Sequence, residues 1–239
     1  MKKKHTAYQI LMTVLVVVFF LSAAVTLVLY LKPLYALSLK LFHIPERAKL
    51  SYEVCRRNYS QLIDYNLLFG AKTLTLPDFP MSVSGHAHFQ EVQGIFKLIQ
   101  ILAWTLLPVT LLLSLPSKKL RAYGWMKAAA ITVFVLIAAV TAGLLLDGRG
   151  ALILFHRILF RNENWLFDPK TDPIIKILPQ EVFVSAGIVI ALLMAIGAVV
   201  LLLFYRKKTK TLKKRRATAK AKERVQGKKS GSDRNNRRK

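Results

Sequence analysis

Residues Ile10 to Tyr30 read ILMTVLVVVFFLSAAVTLVLY, without a single charge. About 20 such residues make a helix long enough to cross the hydrocarbon core of a bilayer. Lys2, Lys3 and Lys4 precede the stretch, as in a signal peptide, but the apolar region of a signal is shorter, about 7–15 residues. The segment therefore reads as a retained anchor. Three more stretches of this kind follow, at about 95–115 (interrupted by Lys97 and Pro108), 128–146 and 182–205. The whole chain has 239 residues, 54% of them hydrophobic, and a net charge of +25. A soluble domain is about half apolar too, but it does not gather its apolar residues into unbroken runs. A disordered chain, a collagen and a simple soluble DNA-binding domain are excluded. The expected fold is an α-helical integral membrane protein: a four-helix transmembrane bundle with an extracytoplasmic cap from the first long loop. Residues 1–205 form the membrane domain, with outer loops 31–94 and 147–181, and residues 206–239 form a basic tail.

Charge gives the orientation. Lys2–Lys4, the connection carrying Lys118, Lys119, Arg121 and Lys127, and the tail hold nearly all of the excess positive charge. The tail alone has 17 basic residues against two acids, whereas the loop 147–181 has five of each. Lys and Arg favour the cytoplasmic side, so both termini are expected inside, with two loops outside. The tail lacks apolar periodicity and is expected to be disordered. It is read as a topology anchor on anionic lipid rather than a nucleic-acid site, since each basic residue near such a surface gains about 1 kcal/mol. Small residues in span three (Ala128, Ala129, Ala130, Ala138, Ala139, Ala142, Gly143) and span four (Ala186, Gly187, Ala195, Gly197) suit close helix packing.

The first outer loop is too long for a mere connector. Tyr52, Cys55, Tyr59, Leu62, Ile63 and Asn66 recur at helical steps. Leu74 and Leu76 alternate with threonines as in a short strand, and Pro77 and Pro80 then break the chain. Ser82 and Ser84 suit helix caps ahead of Gly85-His86-Ala87-His88-Phe89-Gln90-Glu91-Val92. On one continuous helix His88 and Glu91 share a face, and His86 points elsewhere. In the second loop Phe155, Leu159 and Phe160 suggest an apolar face in the headgroup layer, anchored by Trp165. His88 lies just before span two and His156 about ten residues after span three. Both are expected at the outer membrane boundary.

These residues leave several chemistries open. Two neighbouring imidazoles suit proton transfer. With His86 they would make three ligands, as some zinc sites use, so a metal-dependent hydrolase is one alternative and a non-enzymatic scaffold or sensor another. There is neither a GxSxG elbow nor a P-loop. Cys55 has nothing local to lower its thiol pKa and reads as an inert buried residue. Lys97 either snorkels to the surface or holds a lipid oxygen, and Tyr59, Arg157 and Arg161 suit packing or headgroup contacts equally well.

The stretch Phe155-His156, Phe160-Arg161-Asn162-Glu163-Asn164-Trp165, Asp168-Pro169, Asp172-Pro173-Ile174-Ile175, Leu178-Pro179 and Phe183 resembles the bacterial lipoprotein intramolecular transacylases. His88-Phe89-Gln90-Glu91-Val92 is similar to the H-x-x-D-V element of that family, and Asn58-Tyr59, Leu62-Ile63 and Tyr65 to its N-Y-x-x-L-I-x-Y stretch. Three positions depart from the pattern: Glu91 stands for the usual Asp, Arg161 for a small residue, and Gly85 where an acid is expected.

The resemblance implies acyl transfer within a diacylglyceryl-modified lipoprotein at the outer face of the bacterial cytoplasmic membrane. An acyl chain moves from the glyceryl sn-2 oxygen to the α-amino group of the N-terminal cysteine, giving the lyso form. No external acyl donor and no cofactor are needed; the partners are the lipoprotein and membrane lipid. The attacking amine, with a pKa of about 7.7–8.0, must lose a proton, and an imidazole suits that task. His156 is the expected base, His88 its partner, and Glu91 is expected to orient His88. Asn162, Arg157 or Lys97 is expected to hold the oxyanion or the substrate, with Tyr59 and Trp165 in the binding walls.

Overall fold

The computed structural model describes residues 2–117 and 122–236, with the side chains of 2–5, 216 and 220–236 excepted. All regular structure among the described residues is helical. In chain order the helices are α1 (Lys2–Tyr30), α2 (Lys32–Leu41), α3 (Ile44–Ala48), α4 (Tyr52–Asn66), α5 (Val83–Ser114) and α6 (Gly124–Leu159), then a 3-10 turn (Pro173–Ile177) and α7 (Gln180–Asn236). Four segments are long and apolar enough to cross a membrane: Thr6–Tyr30, Val83–Ser114, Gly124–Leu159 and Gln180–Ala219.

The first apolar stretch becomes the hub of the bundle: α1 packs against α5, α6 and α7. Alanines make the close approaches. Ala24, Ala129, Ala130 and Ala198 are buried between α1, α6 and α7, and Phe20 covers Gly197. At the end away from the cap, the Tyr8 hydroxyl donates to the Leu113 carbonyl at 2.7 Å and lies 2.6 Å from the Ser117 hydroxyl, to which the Trp125 indole also donates at 3.0 Å. Lys118, Lys119 and Arg121, which carry part of the orientation argument, lie outside the described residues.

Several expectations change. Ala138, Ala139, Ala142 and Gly143 are not at an interface. From residue 138 to 147 every side of α6 is exposed, with Leu145 and Leu146 at 82% and 87%. This middle stretch of α6 is therefore not packed against the other helices. The basic segment from Arg206 onward, expected to be disordered, continues α7 as helix to Asn236, because Lys, Arg and Ala are good helix formers and the span supplies a ready nucleus. The short strand expected around Leu74 and Leu76 is absent among the described residues. Residues 71–82 run without regular structure, held by Asp78. Its carboxylate accepts from Asn58 Nδ2 at 2.6 Å and from Arg57 Nε at 3.0 Å.

The cap is built on α2, α3, α4 and the 3-10 turn. Tyr35, Leu39, Ile44, Cys55, Leu62, Phe89, Ile174 and Ile177 form its core. Tyr35 stacks on Tyr59 at 3.6 Å and donates to the Ile177 carbonyl at 2.9 Å. Burial raises the Tyr35 phenol, as do the nearby Cys55 and Tyr59, and burial pushes Tyr59 up to about 12. Both rings are therefore neutral packing pieces. The buried Gln100 ties the cap to the span. Its Nε2 donates to the Asn66 carbonyl at 2.9 Å, and its Oε1 accepts from the Leu68 N–H at 3.0 Å.

Candidate active site

Ser82 starts α5 by accepting the Gly85 N–H at 2.9 Å, and one helix runs from Val83 through the apolar stretch to Ser114. At 1.5 Å per residue α5 is about 48 Å long, against a hydrocarbon core of about 30 Å. Its first turns, which carry His88 and Glu91, pack into the cap, where Phe89 joins the core. His88 is 5% exposed, and its Nδ1 has no hydrogen-bond partner among the described residues.

His156 arrives by a different device. Asp147 adopts φ −155 and ψ 86, which breaks α6 into 124–146 and 148–159. The Asp147 Oδ1 accepts the Gly150 N–H at 2.8 Å, capping the second piece as an N-terminal aspartate does. A Cβ at position 150 would overlap that carboxylate as it stands, so glycine there lets the cap close without moving Asp147. The redirected piece brings the two imidazoles to a ring-centroid distance of 6.1 Å.

The environment is aromatic. Phe160 is buried, with its ring 4.7 Å from His88 and 5.8 Å from His156. Phe167 lies 5.4 Å from both His88 and Phe89. Trp165 stacks on His156 at 4.7 Å. Phe160 and Trp165, expected as lipid-facing anchors, thus face the histidines, whereas Phe155 and Leu159 remain exposed. The His156 Nδ1 lies 2.8 Å from the Leu152 carbonyl. A carbonyl only accepts, so Nδ1 carries the hydrogen and the lone pair of the neutral ring sits on Nε2.

Glu91 does not hydrogen-bond to His88. Its Oε1 accepts from Asn162 Nδ2 at 2.7 Å, and its Oε2 is buried without a partner among the described residues. Asn162 is engaged on three sides. Its Oδ1 accepts the Asn164 N–H and its carbonyl accepts the Trp165 indole N–H, each at 3.0 Å. A continuous path thus runs from Glu91 through Asn162 and Trp165 to the face of His156.

The other expected residues are not brought to this point. Nine residues separate Lys97 from His88. On an α-helix that is about 13 Å along the axis and half a turn around it, so Lys97 is on the opposite face of α5. Arg157 is exposed, and Tyr59 is stacked on Tyr35 in the cap core. His86 is exposed, and the described residues contain no cluster of three His, Cys, Asp or Glu side chains able to hold a metal. The three-histidine metal arrangement is therefore not assembled.

One residue escaped the sequence-based reading of the site. Asp172 is 2% exposed; its Oδ1 accepts the Ser82 N–H at 2.8 Å and its Oδ2 accepts the Thr171 hydroxyl at 2.8 Å. Any side chain at position 85 would overlap Asp172. The acid expected at 85 is thus absent, and a carboxylate from the second loop lies over the glycine instead. Burial raises the Asp172 carboxyl, but bonds from Ser82 and Thr171 and the nearby His86 outweigh it, leaving it below the ordinary value. The only sequence signal was its place in the Asp-Pro pair Asp172-Pro173.

Residues 10–183 match the family model described as "Lipoprotein intramolecular transacylase Lit". Among solved structures, the chain is similar to the membrane-integral lipoprotein intramolecular transacylase Lit from Bacillus cereus, with 26% identity and a TM-score of 0.83 over 89% of this chain and 99% of that one. Two variants of that protein, with a histidine changed to arginine or to alanine, match with TM-scores of 0.78 at 26% and 27% identity, each over 89% of this chain and over 95% and 96% of theirs. No curated protein matches the chain.

Proposed function

The chain belongs to the lipoprotein intramolecular transacylase family, and from that membership we propose how its residues carry the reaction. The substrate is a diacylglyceryl lipoprotein. The nitrogen of its N-terminal cysteine attacks the carbonyl carbon of the sn-2 ester, the bond from that carbon to the sn-2 oxygen breaks, and the products are an amide and a glyceryl hydroxyl. The ammonium first gives up one proton to solvent, which leaves His156 Nε2 free for the next. A second proton leaves the attacking nitrogen for His156 Nε2 and is returned to the departing sn-2 oxygen. His88, 6.1 Å away, shares this transfer. Donor and acceptor belong to one molecule, so most of the acceleration comes from holding amine and ester together.

The observation that supports this reading best is the pair of imidazoles inside a wall of Phe160, Phe167 and Trp165. The exposed apolar length of α6 at 138–146 offers a surface that suits acyl chains still continuous with the bilayer. Mass spectrometry of a model lipoprotein N-terminus before and after incubation with the purified protein tests the activity. Formation of the N-acyl, monoacylglyceryl product is expected, and an unchanged substrate would defeat the reading. His86→Ala is expected to keep the wild-type rate within about twofold, because the ring is exposed on another face of α5.

The orientation follows from the positive-inside rule: both termini in the cytoplasm and the histidines at the extracytoplasmic face. The basic continuation of α7 then lies near anionic headgroups. Deleting residues 206–239 is expected to lower the anionic lipid that copurifies with the protein and to leave acyl transfer intact. Lipid analysis of the two preparations measures the first effect and the mass assay the second.

A further inference from the structure

The least explained atom of the site is Glu91 Oε2, a buried carboxylate oxygen with no partner among the described residues. Among the described residues the ion pairs join Lys32 to Asp64, Arg47 to Glu181 and Arg57 to Asp78, and none of them includes Glu91. Covering a carboxylate oxygen without a partner is costly, and Glu91, itself half-buried, is held in that position. Asn162 fixes Oε1, and Asn162 is itself fixed by Asn164 and Trp165. Glu91 therefore has everything a recognition carboxylate needs except its cation.

We propose that Glu91 is the receptor for the α-ammonium of the substrate's N-terminal cysteine. The assignment rests on the transacylase reading above and adds a binding site to it. Two ring nitrogens would share the cation with Glu91 Oε2: His88 Nδ1, one turn earlier on α5 and also buried without a partner among the described residues, and His156 Nε2. The two nitrogens and the carboxylate oxygen match the three N–H groups of an ammonium in number. With the imidazoles centred 6.1 Å apart, one nitrogen atom can sit between them. The aromatic wall contributes no competing cation and lowers the local polarity, which strengthens an ammonium–carboxylate contact. Binding thus selects an unblocked N-terminus, and the same contact delivers the amine to the base that deprotonates it. A chain already acylated on nitrogen has no charge to offer Glu91, so this contact also favours release of the product.

Two non-transferable ligands test the proposal by direct binding to the full-length protein. Both are glyceryl lipopeptides with ether-linked chains, one with a free N-terminal amine and one N-acetylated. Wild type is expected to bind the free amine about 10- to 100-fold more tightly, the range of a hydrogen bond to a charged group. Glu91→Gln keeps an acceptor for Asn162 and is expected to bind the two ligands equally. Glu91→Asp keeps the charge and is expected to keep a preference. A purely structural role for Glu91 would change both affinities together and leave their ratio untouched. A Glu91→Gln protein that retains the full preference overturns the proposal, as does a wild type with no preference. Because binding is read without turnover, a protein that makes no lyso product would defeat the transacylase reading while leaving the amine preference measurable.

Discussion

His156→Ala is expected to lower the rate of lyso-lipoprotein formation by about 10²–10⁴-fold, the usual contribution of a positioned general base. The loss follows from one atom. The Leu152 carbonyl holds the hydrogen on Nδ1, so Nε2 is the basic nitrogen offered to the amine. At neutral pH most of the substrate is ammonium, and without an acceptor nearby its protons must leave through a medium lined by Phe160, Phe167 and Trp165. The fold should survive, because His156 is only half-buried and lies near the end of α6. Thermal melting of the variant checks that point, and timed mass spectra of the substrate N-terminus give the rate. An alanine variant that works at the wild-type rate would remove His156 from the mechanism and leave proximity alone to explain the chemistry.

Asp172→Ala is expected to destabilise the cap by about 2–4 kcal/mol, because it leaves the part-buried Ser82 N–H without its acceptor and opens a cavity above Gly85. Ser82 caps α5, so the damage is transmitted to the turn that carries His88. Activity should fall with stability, but recover in part at lower temperature, unlike that of His156→Ala. The effect also depends on pH. The folded carboxyl lies below its ordinary value of 3.8. Its ionised form is therefore favoured by folding, and the stability it supplies is complete above 3.8 and lost as pH falls through the lower folded value. Asp172→Asn removes that dependence. The gap in melting temperature between wild type and Asp172→Asn should be widest near neutral pH and shrink below pH 3.8. A constant gap would show that the carboxylate charge does not matter to the fold.

How much of this was legible in the sequence differs from part to part. The spans were, because burying about 20 apolar residues in hydrocarbon is a local requirement, met by each segment alone. The start of α5 was nearly so. Ser82 and Ser84 both suit a cap, and the structure uses Ser82. The partners of Glu91 were not legible. Its place three residues after His88 suggested a bond along the helix, and the bond that forms instead crosses to Asn162. Spacing along one helix says which residues share a face, not what the facing loop brings to it. Lys97 failed for the opposite reason, since its helical phase, read from His88, already put it on the far side.

By itself the sequence determined that this chain crosses a membrane four times, that it keeps two histidines near the ends of its second and third spans, and which family it resembles. Apolar runs and short motifs act locally, so the order of residues is enough to specify them. Only the tertiary structure decided that the two imidazoles meet. That depends on the break at Asp147, on Gly85 making room for Asp172, and on Asn162 closing against Glu91. The last two are contacts between segments far apart in the chain, set by packing and by the need to satisfy buried polar groups; the first is a local cap to Gly150, but nothing in it says where the redirected piece lands.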